Sequence, residues 1–191
     1  MKTVIFAHPW HGSFNKAILD SVTKKFEEMK ESYTIIDLHK DNFDPVMREE
    51  DLKLYSEGKF NDPLVGKYQE ILKKSDGLVF IFPIWWSTMP AILKGFLDKV
   101  FLLNFAYNHG NTGITGHLKN IKSVKIITTA GSPKFLIKLF LGNPIGWTFG
   151  TGTLRATGMK GVKWLHCYIS KKDSKEKLEK FLQKTETFVG K

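Results

Sequence analysis

Short apolar runs recur along the chain, each followed by a polar turn and then by a segment whose apolar residues return every three or four positions. Lys2 to Ala7 reads as a buried strand. Ser13 to Met29 reads as a helix that Ser13 can cap, with Ala17, Ile18, Val22 and Phe26 as its apolar stripe. Tyr33 to Leu38 is a second strand. Asp41 to Gly66 is polar and broken by Pro45, Gly58 and Pro63, which predicts a long connection. Tyr68, Ile71 and Leu72 then share one helical face, and Asp76-Gly77 turns the chain into a third strand through Phe82.

Ala91 to Phe101 predicts a helix with Ile92, Leu93, Phe96, Leu97 and Val100 on its apolar face. Asn104 to Asn120 contains three glycines and reads as an excursion loop. Val124 to Thr129 is a fourth strand. Ala130 to Gly161 is rich in glycine and weak in period, although its end, about Trp147 to Thr157, suits a helix stopped at Gly158. Val162 to Ile169 is a fifth strand, and a basic helix closes the chain. Strands alternating with helical crossovers predict an α/β fold, a doubly wound parallel sheet of five strands.

Composition narrows this picture without changing it. A chain of 191 residues with 42% hydrophobic content suits one domain spanning 1–191 with one sizeable core. No apolar stretch approaches about 18 residues, so no membrane span is expected. The amino terminus enters a strand pattern at once, without a signal-peptide pattern. A single cysteine, Cys167, excludes an internal disulfide framework and fits a reducing compartment, so the cytoplasm is the expected location.

The net charge of +10 raises the question of nucleic acid. Lysines crowd Lys171 to Lys184, but acidic residues are interleaved and Leu178, Phe181 and Leu182 keep helical spacing. A solvated amphipathic helix explains that pattern better than a nucleic-acid surface. No zinc-finger, RNP-like or helix-turn-helix pattern occurs, so neither a nucleic-acid partner nor a bound metal is expected. A basic surface would still attract anionic ligands such as NADPH.

Two turns carry the chemistry. The first, His8-Pro9-Trp10-His11-Gly12-Ser13-Phe14-Asn15, follows a strand and enters a helix. Free N–H groups at a helix start favour phosphate, and Ser13 and His8 could donate to it. Taken alone, Ser13 is more simply a helix cap. Neither GxGxxG after the first strand nor GxxxxGK[ST] anywhere is present, and Gly150-Thr151-Gly152 does not directly follow a strand. The second turn, Phe82-Pro83-Ile84-Trp85-Trp86-Ser87-Thr88-Met89-Pro90, should expose the amides of Ile84, Trp85 and Trp86 beside two indole rings. Core filling by both tryptophans is disfavoured, because neighbours in extended chain point opposite ways. In an open parallel sheet both turns lie at the carboxyl edge. A phosphate-binding turn beside an aromatic wall points to a flavin nucleotide.

These residues resemble the NAD(P)H:quinone oxidoreductase (DT-diaphorase) family. The matching stretches are His8 with Ser13-Phe14-Asn15 and Ala17, then Phe82 through Trp86 and Pro90 through Phe96, Val100-Phe101, Asn104 through Tyr107, and Thr128 through Ser132. The resemblance implies a flavodoxin-like three-layer sandwich, a homodimer and a flavin near the subunit interface. It implies that His8, Ser13, Phe14 and Asn15 hold the flavin phosphate, and that Pro83, Ile84, Trp85 and Trp86 run along the isoalloxazine, with the Trp86 amide near N5. Thr128, Thr129, Ala130 and Gly131 match the turn at the pyrimidine end, and Tyr107 an aromatic on the substrate side.

The implied reaction is ping-pong hydride transfer, from NADH or NADPH to the flavin and then to an acceptor such as a quinone. FAD is preferred over FMN on the His…Ser-Phe-Asn turn. The family's tyrosine and histidine after the threonine turn are missing here, and no protein residue is assigned a catalytic step. Lys134 is a candidate for positive charge near N1 in their place. Two other readings stay open: a regulatory flavoprotein subunit of a potassium-efflux system, and a flavodoxin-type electron carrier.

Overall fold

The computed structural model describes residues 1–111, 113–170 and 172–191. Lys171, which begins the basic stretch noted above, and Thr112, inside the expected excursion loop, lie outside the described residues. Five parallel strands form the central sheet: β1 (Lys2–Phe6), β2 (Tyr33–Asp37), β3 (Gly77–Pro83), β6 (Ser123–Ala130) and β7 (Val162–Tyr168), in the order β2-β1-β3-β6-β7. The helices are α1 (Phe14–Glu28), α2 (Glu49–Tyr55), α3 (Pro63–Lys73), α4 (Ala91–Val100), α5 (Lys134–Leu139) and α6 (Lys175–Val189), with a π-helix over Ile145–Arg155. A separate antiparallel hairpin joins β4 (Tyr107–Gly110) to β5 (Gly113–Gly116).

The alternation of side chains along each strand builds two cores. In β3, Phe80 and Phe82 face one layer with Ile5 of β1, while Val79 and Ile81 face the other with Val4 and Phe6. The first layer is closed by α3, α4 and the π-helix, where Phe149 meets Phe80 and Phe82 edge-on at centroid distances of 5.0 and 5.9 Å. The second is closed by α1 and α6, through Ile18, Val22, Phe26 and Phe181. A fully buried side chain of this size contributes roughly 1.5–3 kcal/mol, and each aromatic pair roughly 0.5–1.5 more. This is the doubly wound parallel sheet expected from the alternation and the three-layer sandwich that the resemblance implies, and the strand order reverses between β1 and β3.

Three segments differ from the sequence pattern. The polar connection after β2 contains α2, which has no buried residue of its own. Acidic side chains Glu49, Glu50 and Asp51 fill its first turn, where the helix dipole favours them. It is fastened by Lys99 of α4, whose ammonium lies 3.3 Å from Asp51 and 3.9 Å from Asp62 and donates to the Asp44 carbonyl. The connection then passes so close to α4 that a Cβ on Gly95 would lie 2.2 Å from the Pro45 carbonyl oxygen, so no larger residue fits there. The expected excursion loop is the β4–β5 hairpin, docked where Gly116 lets its backbone approach Thr157.

The helix expected at about 147–157 is a π-helix at 145–155. Glycines at 146, 150 and 152 relieve crowding there, and the Thr151 and Thr153 hydroxyls donate to carbonyls five residues back.

Strand β7 ends the sheet. The Gly161 carbonyl, just before it, accepts from the Val124 amide of β6, so the carbonyls of Val162, Trp164 and Tyr168 point outward. Each is met by a cation: Arg155 donates to Val162, Lys134 to Trp164 and Lys177 to Tyr168.

Candidate functional site

Three turns leave the carboxyl ends of β1, β3 and β6, and each touches the other two. His8 of the first faces Trp85 of the second, with ring centroids 6.3 Å apart. The Ile84 amide of the second donates to the Thr129 carbonyl at 2.8 Å. Asn15 of the first donates from Nδ2 to the Thr129 hydroxyl at 2.9 Å. The crevice they share lies at the reversal of strand order, the point where open α/β sheets bind ligands.

The first turn is built to receive an acceptor-rich group. Ser13 caps α1, its Oγ accepting from the Lys16 amide, so its own hydroxyl proton is free to be donated elsewhere. The amides of Phe14 and Asn15 fall in the first helical turn, where no preceding carbonyl can take them. The His8 Nδ1 lies 3.1 Å from both the amide and the carbonyl of Trp10, which anchors that edge of the ring and leaves Nε2 without a hydrogen-bond partner among the described residues. Asn15 is buried, and its Oδ1 has no partner among the described residues. An unpaired buried carbonyl is costly, and here a donor from a ligand would satisfy it.

The second turn is shut on itself. Trp85 and Thr88 exchange both backbone hydrogen bonds, at 2.9 and 3.0 Å. Trp86 and Ser87 between them are left-handed, with φ of 47° and 65°, a conformation that costs non-glycine residues energy and is retained most often at functional sites. Trp86 is 99% exposed and Trp85 46%, so neither fills the core. Pro83 is buried as the last residue of β3, and Pro90 directly precedes α4.

The third turn divides its side chains. The Thr129 hydroxyl is held by Asn15, whereas the fully buried Thr128 side chain faces the opposite layer. There Trp164 Nε1 donates to the Thr128 hydroxyl, which pairs with His166 Nδ1, while His166 Nε2 meets the Ser132 carbonyl at 2.9 Å. A carbonyl can only accept, so Nε2 carries the proton and the Thr128 hydroxyl donates to Nδ1. That chain fixes the Ser132 carbonyl and leaves Ala130, half-buried, and Gly131, exposed, to border the crevice.

Lys134 is placed elsewhere. Its ammonium lies over the Trp164 ring, 4.5 Å from the centroid, and donates to the Trp164 carbonyl in the middle of β7. Tyr107 stands on the hairpin and lines a cavity of about 260 Å³ together with Thr88 and Met89 of the tryptophan turn. Tyr55 shares that cavity. Hydrogen bonding to Tyr107, with burial, pushes its phenol up to about 12.

Tyr55 was not singled out in the sequence because α2 carries no apolar stripe. A second cleft, also about 260 Å³, lies between β7 and α6 and is lined by Tyr168, Lys177, Lys180, Phe181 and Lys184. Phe181 packs on Phe14 at the start of α1, with centroids 6.1 Å apart, which sets this cleft beside the first turn. Its signal in the sequence was the lysine spacing of the last helix.

Burial holds His166, His8 and His39 below the ordinary histidine value of 6.5. Each therefore stays neutral in the folded protein at a pH where the unfolded chain has begun to take up a proton. Stability is full above about pH 6.5 and falls as the pH drops below it. Urea midpoints are expected to hold steady from about pH 8 to 7 and to decline between about 6.5 and 5. A His166→Gln variant is expected to decline less steeply.

The chain matches the family described as having a flavodoxin-like fold over residues 2–189, and it belongs to that family. It is 36% identical over 110 residues to an uncharacterized NAD(P)H oxidoreductase of Escherichia coli (strain K12), covering 56% of each chain. It is 30% identical over 181 residues to NAD(P)H dehydrogenase (quinone) 1 of Rattus norvegicus, covering 82% of this chain and 64% of the rat enzyme. The chain thus spans little more than half to two thirds of the length of these two relatives. The crystal structure of Smu.1420 from Streptococcus mutans UA159 superposes with a TM-score of 0.84 at 33% identity, covering 99% of this chain and 98% of that one. No described helix is long and apolar enough to cross a membrane, and the described residues hold no cluster of three or more metal-ligating side chains.

Proposed function

We propose that this protein is a flavin-dependent NAD(P)H oxidoreductase acting on a quinone or a similar two-electron acceptor. The observation that carries this reading is the mutual contact of the three turns at the strand-order reversal, with donors on one side and bare indoles on the other. The similarity to NAD(P)H oxidoreductases, one of them named for its quinone acceptor, supports the reaction class.

A flavin bound here would supply the redox chemistry, accepting a hydride from the nicotinamide and passing two electrons to the acceptor. The chain's own groups bind and orient. The Ser13 hydroxyl, the Phe14 and Asn15 amides and His8 Nε2 would receive the phosphate. Pro83 through Trp86 would lie along the ring, with the Trp86 amide directed to N5. Thr129, Ala130 and Gly131 would border the pyrimidine end, and Thr128 would hold that turn in place through His166. Tyr107 would line the acceptor side. The cleft at Tyr168, Phe181 and Lys177 gives a second nucleotide half an aromatic and cationic place beside the phosphate turn, which favours FAD over FMN. A homodimer with the site near its interface completes the proposal.

The test is an absorption spectrum from about 300 to 550 nm after adding flavin, then anaerobic NADPH or NADH, then menadione. A bound-flavin spectrum that bleaches with reduced nicotinamide and recovers with the quinone is the expected result. Chromatography of the released cofactor would separate FAD from FMN. Flavin that binds but is not reduced would overturn the reductase reading and leave a carrier or a regulatory subunit. Absence of flavin binding would overturn the whole reading.

A further inference from the structure

Between Asp98 and Asp173 the chain contains no Asp or Glu, yet it contains eleven Lys or Arg residues, so this stretch supplies the entire net charge. The folded chain gathers three of those cations around one cavity. It lies between α5, the π-helix and β7, measures about 340 Å³, and is lined by Lys134, Lys138, Arg155, Asn143, Trp147 and Trp164 among others. None of the lining residues is acidic, and none of the three cations forms a salt bridge among the described residues.

Their remaining donors are still available. Lys134 gives one proton to the Trp164 carbonyl and keeps two. Arg155 reaches Thr151 and Val162 with two of its five N–H groups, and Lys138 has no hydrogen-bond partner among the described residues. Burial, reinforced by Lys138 and Lys184, holds the Lys134 ammonium below the ordinary lysine range. An anion among the three would remove that penalty. Trp147, 66% exposed, presents a bare indole at the same cavity.

We propose that this cavity is a binding site for a phosphorylated nucleoside, with the phosphate between Lys134, Lys138 and Arg155 and the base against Trp147. A guanidinium and two ammonium groups match a phosphate's charge and acceptor count, and an indole face holds a base without regard to its sequence of donors. The volume suits a ligand of that size. The site is separate from the three-turn crevice, because its cations are directed to β7 and not to the carboxyl edge. Two sources share this chemistry: a free nucleotide, and the phosphoadenosine end of NADPH.

The experiment is a calorimetric titration of the full-length protein with 2′,5′-ADP, adenosine and inorganic phosphate. It is repeated on the Lys138→Gln/Arg155→Gln and Trp147→Ala variants, with far-ultraviolet circular dichroism to confirm folding. Expected are binding of 2′,5′-ADP well above that of adenosine, and a loss of about tenfold or more in the double variant. Trp147→Ala is expected to weaken 2′,5′-ADP but leave inorganic phosphate unchanged. Equal binding of 2′,5′-ADP and adenosine, or a folded double variant with unchanged affinity, would overturn the proposal. The binding measurement is read without flavin or turnover, so its failure is distinct from failure of the oxidoreductase reading. If 2′,5′-ADP then competes with NADPH in turnover, the coenzyme is the source, and if it binds without competing, a free nucleotide is.

Discussion

Replacing Asn15 with Asp is expected to strip the protein of flavin. Asn15 is 4% exposed, gives one amide proton to Thr129 and leaves Oδ1 without a partner. The substitution removes that donor and puts a negative charge where the proposed phosphate would sit. A buried carboxylate without a cation is unfavourable, and a phosphate beside it makes matters worse. Flavin affinity should fall by about a hundredfold, or about 2.7 kcal/mol. Asn15→Ala removes only a hydrogen bond and should cost about tenfold. Quenching of flavin fluorescence on titration measures both. An Asn15→Asp protein that binds flavin as tightly as the unchanged chain would show that the first turn is not the phosphate site.

The largest loss of stability is expected from Lys99→Met. Lys99 is 6% exposed and stands against Phe43, 5.7 Å from the ring centroid, where it fastens the segment from Asp44 to Asp62 onto α4. Removing the ammonium leaves Asp51 and Asp62, both largely buried, without their cation. Breaking a buried pair from one side costs about 3–5 kcal/mol. Urea unfolding should show a midpoint shift of that size without a matching change in slope. Adding Asp51→Asn removes one of the orphaned charges and should recover part of the loss. A Lys99→Met protein as stable as the original would mean that α2 is held by its backbone contacts alone.

The five strands were legible because each is a short apolar run bounded by a turn, and a strand covered on both faces must read that way. The crevice was legible for a related reason. Two tryptophans in a turn are a costly choice that a core does not call for, and the histidine turn with Ser13 at a helix start follows a strand of the same sheet. What stayed hidden was structure whose cause lies elsewhere in the chain. Helix α2 depends on Lys99, 48 residues beyond its partner Asp51, and carries no apolar stripe by which to be seen. Tyr55 went unnoticed with it. The hairpin that carries Tyr107 needs Gly116 to approach Thr157, a contact no local pattern reports. The π-helix follows from three glycines and two threonine hydroxyls, which in the sequence look only like weak periodicity. Lys134 shows the converse: its place after the threonine turn made it a candidate for charge near flavin N1, whereas its ammonium donates to the Trp164 carbonyl.

The outward carbonyls of β7 have a consequence for how this protein meets other copies of itself. A terminal strand with bare acceptors invites a neighbouring chain to hydrogen-bond to it and extend the sheet, which is a common route to aggregation. Here Arg155, Lys134 and Lys177 already occupy the acceptors of Val162, Trp164 and Tyr168, and they line that border with positive charge. A second copy approaching edge to edge would have to displace three cations while facing three of its own. Growth of the sheet from its β7 border is therefore opposed by charge, and a partner is turned away from that side.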